Sequence, residues 1–377
     1  MQVTKVIEGS HAIAEAVKIA GPKVIAAYPI TPQTHIIEML ADMVAAGAID
    51  AEYINVESEH SALAACIGAQ ATGVRTFTAT SSQGLALMFE LLHVTSGMRL
   101  PLVMAVGNRA LSAPLNIWND WSDSVSCRDS GWIQLYCESP QEAYDTVIQA
   151  YRIAEHKRVL LPVMVCVDGY YLTHTSEPVS MLTSLDGFLG DYEPEFKLDT
   201  ENPLSLGEYA NPDYYQEFKE AQHNAMGNAL SVIGEVNEEF ARKFGRGYGN
   251  GVIETFNMEN ASHAVLTMGT LSSTIKYFIE REKSDVGLIR LRSFRPFPSE
   301  DLKKICSDVG SIAVIEKDVS FGSGGAVATE LRSVMDIPVA SFVGGLGGRD
   351  ITLQQIKEIF NSAGKSGEGL TFVGSRP

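Results

Sequence analysis

Short runs of β-branched and apolar residues alternate with longer stretches of helical periodicity between Thr4 and about Thr175. This alternation is typical of a parallel β-sheet that is covered by helices on both faces, so it predicts an α/β fold. The predicted strands span residues 23–27, 76–79, 102–106 and 161–167, and the predicted helices span residues 9–20, 32–46, 60–71, 85–96 and 140–156.

A second α/β pattern occupies residues 261–377, and a chain of 377 residues is long enough for two domains of about 100 to 200 residues each. We therefore expect one domain at 1–175 and a smaller one at 261–377. The strands predicted in the smaller domain span residues 264–268, 286–290, 311–315 and 337–342.

The segment between these domains, residues 176–260, has no clean period and is rich in Pro, Gly, Asp, Glu, Tyr and Asn. We predict an extended arm or linker with one helix at 219–243. Aromatic side chains favour a surface on which they can lie, so we expect the arm to wrap a partner. The aromatic residues concerned are Tyr209, Tyr214, Tyr215 and Phe218.

Charge and hydropathy exclude several classes of protein. The net charge is −17 without a basic stripe, so a nucleic-acid partner is not expected. The same acidity disfavours this chain as the docking face for an acidic electron carrier, because like charges repel at encounter. No run approaches the about 18 apolar residues of a membrane span. The first residues lack the apolar core of a signal peptide, and we expect a cytoplasmic protein.

The spacing of cysteine and histidine argues against a metal centre in this chain. No two of the five cysteines stand two or three residues apart, whereas iron–sulfur and structural zinc sites use closely spaced thiolates. His60, His93 and His174 also lack the spacing of a metal site. We predict no metal ligands here and buried, reduced thiols at Cys66, Cys127, Cys137, Cys166 and Cys306.

Two glycine-rich stretches, 322–325 and 344–348, invite a dinucleotide-binding interpretation. Neither completes the pattern G-x-G-x-x-G, because Val327 and Asp350 stand where the third glycine would be. We favour their use in close packing of turns and helix starts.

Three polar segments follow three of the apolar runs. Because the carboxyl ends of parallel strands meet at one edge of a sheet, we expect these segments to form a single site. The segments are Tyr28-Pro29-Ile30-Thr31-Pro32, Val56-Glu57-Ser58-Glu59-His60 and Thr80-Ser81-Ser82-Gln83-Gly84.

These segments, together with Asn108-Arg109-Ala110-Leu111 and Asn116-Ile117-Trp118-Asn119-Asp120, resemble the alpha subunits of pyruvate:ferredoxin oxidoreductases in the 2-oxoacid:ferredoxin oxidoreductase family. The resemblance runs in order from Gly9 to His174 and continues more loosely from Ala264 to the end. The later half, through residues 292–298, is similar to the carboxyl-terminal domain of transketolase-like enzymes. The resemblance implies a pyrimidine-side thiamine-diphosphate-binding domain followed by a transketolase C-terminal-like domain.

The resemblance assigns catalysis to Glu59, which would hydrogen-bond N1′ of the cofactor's aminopyrimidine and so favour its reactive tautomer. From the residues alone, Glu57 and Glu59 could both be first-turn acids that the helix dipole favours. Pro29, Ser82 and Gln83 would shape the pyrimidine end of the cofactor site. We expect Ser82 and Gln83 to act there as turn and capping residues.

The resemblance assigns Thr31 and Arg109 to the carboxylate of a 2-oxo acid, which arginine can hold through two parallel hydrogen bonds. A lone arginine after a strand is more often in a surface ion pair, although Arg109 has apolar neighbours in sequence. Asn116 begins a polar run that includes Asn119, Asp120 and Asp123. This run could be a substrate rim or a loop that contacts another subunit.

The resemblance implies oxidative decarboxylation of pyruvate with coenzyme A, giving acetyl-CoA and CO₂ and reducing ferredoxin, reversibly. No Gly-Asp-Gly segment for Mg²⁺ is found. The thiamine diphosphate would therefore be shared with a beta subunit that holds the diphosphate and Mg²⁺, and iron–sulfur clusters would lie in partner subunits, including gamma and ferredoxin-like delta subunits. Two alternatives stay open: the same chemistry on branched-chain 2-oxo acids or 2-oxoglutarate, and a non-catalytic scaffold.

Overall fold

The structure is a computed structural model that describes residues 2–259, 261–362 and 369–376. Its strands are β1 (Gln2–Glu8), β2 (Val24–Ala27), β3 (Glu52–Asn55), β4 (Thr76–Thr80), β5 (Val103–Asn108), β6 (Ile133–Cys137), β7 (Val163–Asp168), β8 (Ser176–Leu182), β9 (Ile253–Phe256), β10 (His263–Thr267), β11 (Gly287–Leu291), β12 (Ser293–Arg295), β13 (Ser311–Glu316), β14 (Val339–Val343) and β15 (Leu370–Phe372). Its helices are α1 (Gly9–Ala20), α2 (Thr34–Ala45), α3 (Glu59–Ala71), α4 (Ser82–Leu87), α5 (Phe89–Gly97), α6 (Ser122–Ser126), α7 (Pro140–Ala154), α8 (Tyr215–Phe244), α9 (Leu271–Glu282), α10 (Ser299–Ile305), α11 (Ala326–Val334) and α12 (Leu353–Phe360).

Two large sheets carry the fold. The first has the strand order β12-β6-β7-β5-β4-β2-β3, and its strands are parallel except that β12 runs antiparallel to β6. The second has the order β15-β14-β13-β10-β11-β9, and there β9 runs antiparallel to β11. Every residue of β5 and β7 is buried, as a sheet with helices on both faces requires. The predicted α/β fold is confirmed.

The strands and helices predicted from periodicity are present within a few residues of their predicted bounds, with one difference. The predicted helix at 85–96 is two helices that meet at Met88, and the first of them already begins at Ser82. At the start of α7, Ser139 accepts a hydrogen bond from Glu142 N at 3.2 Å and Pro140 occupies the first turn, two features that favour a helix start.

Residues 176–260 contain more structure than the prediction gave them. β8 pairs antiparallel with β1, and β9 joins the second sheet. The predicted helix is longer than expected, since α8 runs from Tyr215 to Phe244 and buries one face against α5 and α7 of the first domain. Neither α8 nor any other helix in the described residues is long and apolar enough to cross a membrane.

A buried ion-pair cluster joins the two halves of the chain. Glu142 of α7 accepts hydrogen bonds from Arg290 Nη1 at 2.6 Å and from Arg292 Nε at 2.5 Å, and all three side chains are at most 2% exposed. Arg290 and Arg292 flank Leu291 at the end of β11, immediately before β12 adds to the first sheet. Charges buried this deeply must be paired, so the cluster helps to fix how the two sheets meet.

The cluster predicts an acid-sensitive contribution to stability. Burial would raise the pKa of Glu142, but Arg290 and Arg292 outweigh it and hold the pKa at about 2. The folded value lies below the ordinary 4.5, so the contribution is present above about pH 4.5 and is lost as the pH falls toward 2. Glu142→Gln should lower the free energy of unfolding at neutral pH by about 3 kcal/mol or more, measured by chemical denaturation.

The matched control is Glu300→Gln, which removes an exposed pair with Lys303 and should leave the stability nearly unchanged. Equal stability of the two variants at neutral pH would contradict this role of Glu142.

Candidate functional site

Glu59 is a buried acid at the start of α3, directly after the β3 loop. Ser58 caps the helix by accepting a hydrogen bond from Ser61 N at 3.2 Å, which places Glu59 at the first helical position. Glu59 is 7% exposed, and its side chain has no hydrogen bond or ion pair with any described residue. Glu57, by contrast, is exposed and accepts a hydrogen bond from Ser61 Oγ. Glu57 precedes the cap and lies at the surface, whereas Glu59 is the first-turn acid of α3. The position of Glu59 next to the helix dipole does not explain why its side chain is buried without a hydrogen bond to any described residue.

Gly84 provides the space beside Glu59. A Cβ atom at Gly84 would lie 2.7 Å from Glu59 Oε1 and 2.5 Å from Thr80 Oγ1, so only glycine fits here without displacing both side chains. Thr80 Oγ1 is itself buried and has no hydrogen-bond partner among the described atoms. The carboxylate and this hydroxyl therefore converge at one point of the sheet edge, and neither has a hydrogen-bond partner among the residues that the structure describes.

The segment between Thr80 and Gly84 is held inward by its own polar groups. Ser82 adopts a φ of 48°, and its hydroxyl lies 2.6 Å from Ala110 O and 2.5 Å from Gln83 Oε1. Gln83 Nε2 is buried without a partner among the described atoms. Ser82 therefore lies in the turn at the start of α4, and Gln83 has a donor without a partner among the described atoms. Pro29 lies exposed at the end of β2.

Arg109, Thr31 and Asn116 are brought together by the guanidinium of Arg109. Its Nη1 donates to Thr31 O at 2.9 Å and its Nε donates to Asn116 O at 3.0 Å. Arg109 is 7% exposed, yet neither an acidic partner nor a partner for Nη2 is found within the described ranges. The alternative of a surface ion pair is therefore wrong. A buried guanidinium with one free nitrogen is suited to an anionic ligand.

Asp123 is a residue of the site that the sequence named only as part of a polar run. It is 1% exposed and accepts hydrogen bonds from Ser82 N at 2.9 Å and Arg109 N at 3.0 Å. It also accepts bonds from Asn108 Nδ2 and Ser124 N, both at 2.8 Å. Asp123 thus connects the loops after β4 and β5. The sequence gives no signal for these contacts, because the donors are far apart along the chain.

The polar run that includes Asn119 contacts the second half of this same chain. Lys317 Nζ donates to Asp168 Oδ2 at 2.9 Å and to Asn119 Oδ1 at 3.0 Å. Burial would raise the pKa of Asp168, but Lys317 and the hydrogen bonds to Asp168 outweigh it and hold the pKa below its ordinary value. Asn116 Nδ2 donates to Gly347 O at 3.1 Å. The second domain therefore supports the loop that carries Asn116.

The glycine-rich stretches are used for packing, as predicted. A Cβ at Gly347 would lie 2.5 Å from Asn116 Nδ2, and one at Gly325 would lie 1.7 Å from Glu316 Oε1. The Glu316 carboxylate accepts hydrogen bonds from Val327 N and Ala328 N. It therefore occupies the start of α11, where a phosphate would otherwise bind.

The described residues contain no group of three or more His, Cys, Asp or Glu side chains that could hold a metal ion. The five cysteines are buried free thiols, and burial raises the pKa of Cys66 and of Cys127 to about 12. Thiols of this kind act as small apolar side chains.

Two family models cover most of the chain. Residues 15–238 match the family described as pyruvate flavodoxin/ferredoxin oxidoreductase, thiamine diP-binding, and residues 261–356 match pyruvate:ferredoxin oxidoreductase core domain II. The chain belongs to the pyruvate:ferredoxin oxidoreductase family. The resemblance read from the strand-end loops is confirmed.

Curated relatives of this family match over nearly their full length. The chain is 54% identical to pyruvate synthase subunit PorA of Methanocaldococcus jannaschii, covering 97% of this chain and 96% of that protein. It is 48% identical to subunit PorA of Methanothermobacter thermautotrophicus, with coverage of 99% and 98%. It is also 45% identical to ketoisovalerate oxidoreductase subunit VorA of Pyrococcus horikoshii, with coverage of 95% and 93%.

Two solved structures share the fold. A 2-oxoglutarate:ferredoxin oxidoreductase from Magnetococcus marinus matches with a TM-score of 0.73 and 18% identity, over 95% of this chain and 65% of that chain. A split-gene transketolase matches with a TM-score of 0.58 and 13% identity, over 96% of this chain and 99% of that chain. The predicted relation to transketolase-like folds is confirmed at the level of the fold.

The space at Gly84 can be tested with a pair of glycine substitutions. Gly84→Ala should lower the free energy of unfolding by about 1–3 kcal/mol, because the new methyl group must displace Glu59 and Thr80. The control is Gly68→Ala in α3, where nothing lies within 4 Å of the added atom, and it should stabilise by about 0.5–1 kcal/mol. If both alanines stabilised equally in denaturant titrations, the crowding at Gly84 would be disproved.

Proposed function

We propose that this chain is the alpha subunit of a thiamine-diphosphate-dependent pyruvate:ferredoxin oxidoreductase that converts pyruvate and coenzyme A to acetyl-CoA and CO₂ and passes electrons to ferredoxin, reversibly. One observation carries the proposal: the same sheet edge holds two buried charged groups, the carboxylate of Glu59 and the guanidinium of Arg109. Within the described residues, the first has no hydrogen-bond partner and the second has no ion pair. The carboxylate is suited to hydrogen-bond a ring nitrogen of a heterocyclic cofactor, and the guanidinium is suited to bind the carboxylate of a 2-oxo acid. The family membership supports the same reading.

The residues around Glu59 fit the pyrimidine end of thiamine diphosphate. A buried acid that lacks a partner in its own chain is suited to hydrogen-bond a ring nitrogen, and we assign N1′ to Glu59. Thr80 Oγ1 and Gln83 Nε2 are buried polar atoms near this point that also need partners. The bound cofactor supplies the nucleophilic carbon and the electron sink, so no nucleophile from the protein is required.

Arg109 and Thr31 are proposed to orient the substrate. Arg109 Nη2 is free to hold one carboxylate oxygen of pyruvate, while the bonds from Nε and Nη1 to backbone carbonyls keep the guanidinium plane fixed. Thr31 lies beside it and its hydroxyl can add a neutral hydrogen bond. Asn116 fixes the far side of the guanidinium through its carbonyl. Holding the carboxylate that leaves as CO₂ in one orientation contributes to catalysis by positioning.

Partner subunits are proposed for the groups that this chain does not hold. A beta subunit would bind the diphosphate and Mg²⁺, and iron–sulfur clusters would lie in gamma and delta subunits through which ferredoxin is reduced. Three features support this division: the missing Gly-Asp-Gly segment, the lack of a metal-ligand group within the described residues, and relatives that are named as subunits.

The test of the proposed function is coenzyme-A-dependent viologen reduction by the complex purified through this chain. We expect kcat/KM for pyruvate to exceed that for 2-oxoisovalerate and 2-oxoglutarate by about tenfold or more, because a single extra methylene in a fitted pocket already changes rates by about that factor and both of these acids are larger than pyruvate by more than one methylene. Preference for 2-oxoisovalerate would instead favour the substrate that the VorA relative's name indicates. Activity on none of the three, with cofactor and clusters present, would favour a scaffold.

The segment at residues 207–218 is proposed to contact a partner subunit. Tyr209 is 90% exposed, and Tyr214, Tyr215 and Phe218 are also exposed although α8 otherwise packs on its own domain. Such a cluster of aromatic side chains is typical of an interface. Replacing Tyr209 and Tyr214 by serine should weaken assembly by about tenfold, measured by co-purification at decreasing concentration. Tyr277→Ser, at an exposed tyrosine of α9, is the control; equal assembly of both would refute the contact.

A further inference from the structure

One carboxylate, that of Asp123, receives four hydrogen bonds from three parts of the site. Oδ2 accepts from Ser82 N and Arg109 N, and Oδ1 accepts from Asn108 Nδ2 and Ser124 N. The four distances lie between 2.8 and 3.0 Å, and Asp123 has no ion pair with any described residue. Three of these donors are backbone amides, those of Ser82, Arg109 and Ser124, which cannot rotate away from a changed acceptor as a side chain can.

Two of these amides, those of Ser82 and Arg109, belong to the residues whose placement matters most. Arg109 carries the guanidinium proposed to hold the substrate. Ser82 begins the turn that brings Gly84 against Glu59, and its φ of 48° is a conformation that a residue with a side chain rarely adopts. The bond from Ser82 N to Asp123 helps to hold that conformation. The Asp123 carboxylate therefore holds both the turn at Ser82, on the cofactor side, and the start of the loop at Arg109, on the substrate side.

We propose that Asp123 is a positioning residue that fixes the distance between the Glu59 side and the Arg109 side of the active site. This inference rests on the proposed function. Asp123 does not touch the reacting atoms; it acts through the backbone amides of Ser82 and Arg109. Loss of the Asp123 carboxylate should displace the Arg109 guanidinium and so weaken substrate binding more than it slows the step that follows binding. The expected signature is a rise in KM for pyruvate with a smaller change in kcat.

Only the ionised carboxylate can accept all four bonds. In Asp123→Asn one oxygen is replaced by an amide NH₂, which would face either the pair Ser82 and Arg109 or the pair Asn108 and Ser124 with donors against donors. We expect KM for pyruvate to rise by about ten- to hundredfold in this variant, the usual cost of losing hydrogen bonds to a charged group.

The wild-type protein offers an independent readout. Burial raises the pKa of Asp123 to about 7, against the hydrogen bonds from Asn108, Ser82 and Arg109. Protonation turns one acceptor into a donor, so KM should rise as the pH falls through about 7. Asp120 faces Asp123 from the same segment, and its pKa is also raised by burial. Burial also raises the pKa of three further neighbours well above neutral, so they stay protonated in this range: Cys127, Tyr136 and Cys166.

The experiment measures KM and kcat for pyruvate against pH in the assembled complex, for the wild type and three variants. Asp123→Asn should raise KM for pyruvate at all pH values and should abolish the rise of KM that the wild type shows as the pH falls through about 7. Asn108→Ala removes a hydrogen bond that lowers the pKa of Asp123. The rise of KM on acidification should therefore begin at a higher pH than in the wild type. Asp145→Asn is the matched control: Asp145 is a buried aspartate bonded to Arg246 and Tyr248, and its loss should lower stability without changing KM.

The outcomes separate the two proposals. A wild-type complex without pyruvate activity would overturn the proposed function. With an active wild type, either of two results would overturn the positioning role alone. The first is an equal KM for pyruvate in Asp123→Asn and Asp145→Asn. The second is an unchanged pH dependence of KM in Asn108→Ala. If Asp123→Asn does not fold, the wild-type profile and Asn108→Ala still decide the matter.

Discussion

The constraint around which this fold is arranged is the burial of two ionisable side chains, Glu59 and Arg109, that have no ion pair with any residue described by the structure. Burying an ionisable group is costly unless hydrogen bonds or a partner offset the loss of water. Arg109 is partly compensated by two backbone carbonyls, whereas Glu59 has no described hydrogen bond or ion pair. The remaining capacity of both groups faces one edge of the sheet. Such groups are usual at binding and catalytic sites, where the ligand completes the set of partners.

The second half of the chain is part of this arrangement, because it supports the loop beside Arg109. Lys317 reaches Asp168 and Asn119 across the junction of the two sheets, and the glycines near Gly347 allow the loop at Asn116 to pack closely. On the opposite side, Glu142 pairs with Arg290 and Arg292. The two sheets are thus joined by buried polar contacts rather than by apolar packing alone, which favours one relative placement.

Local sequence patterns predicted the central strands and the helices between them, because each of these elements depends on neighbours within a few positions. The strand β8 was not predicted because residues 176–260 lack a clean period; β8 instead pairs with β1 in a two-stranded sheet outside the large sheets, where Pro178 is tolerated. The role of Asp123 could not be read either, since its donors come from positions 82, 108, 109 and 124 and meet only in the folded chain.

The most direct measurement is turnover of the assembled complex with pyruvate after Glu59→Gln, compared with Glu57→Gln two residues away. Glutamine keeps the shape of the side chain but removes its charge and proton-accepting capacity. If Glu59 activates the cofactor, kcat should fall by about a hundredfold or more, the usual size of an acid–base contribution. The exposed Glu57 variant should retain wild-type turnover. Near wild-type turnover of Glu59→Gln would contradict the central role of this buried acid.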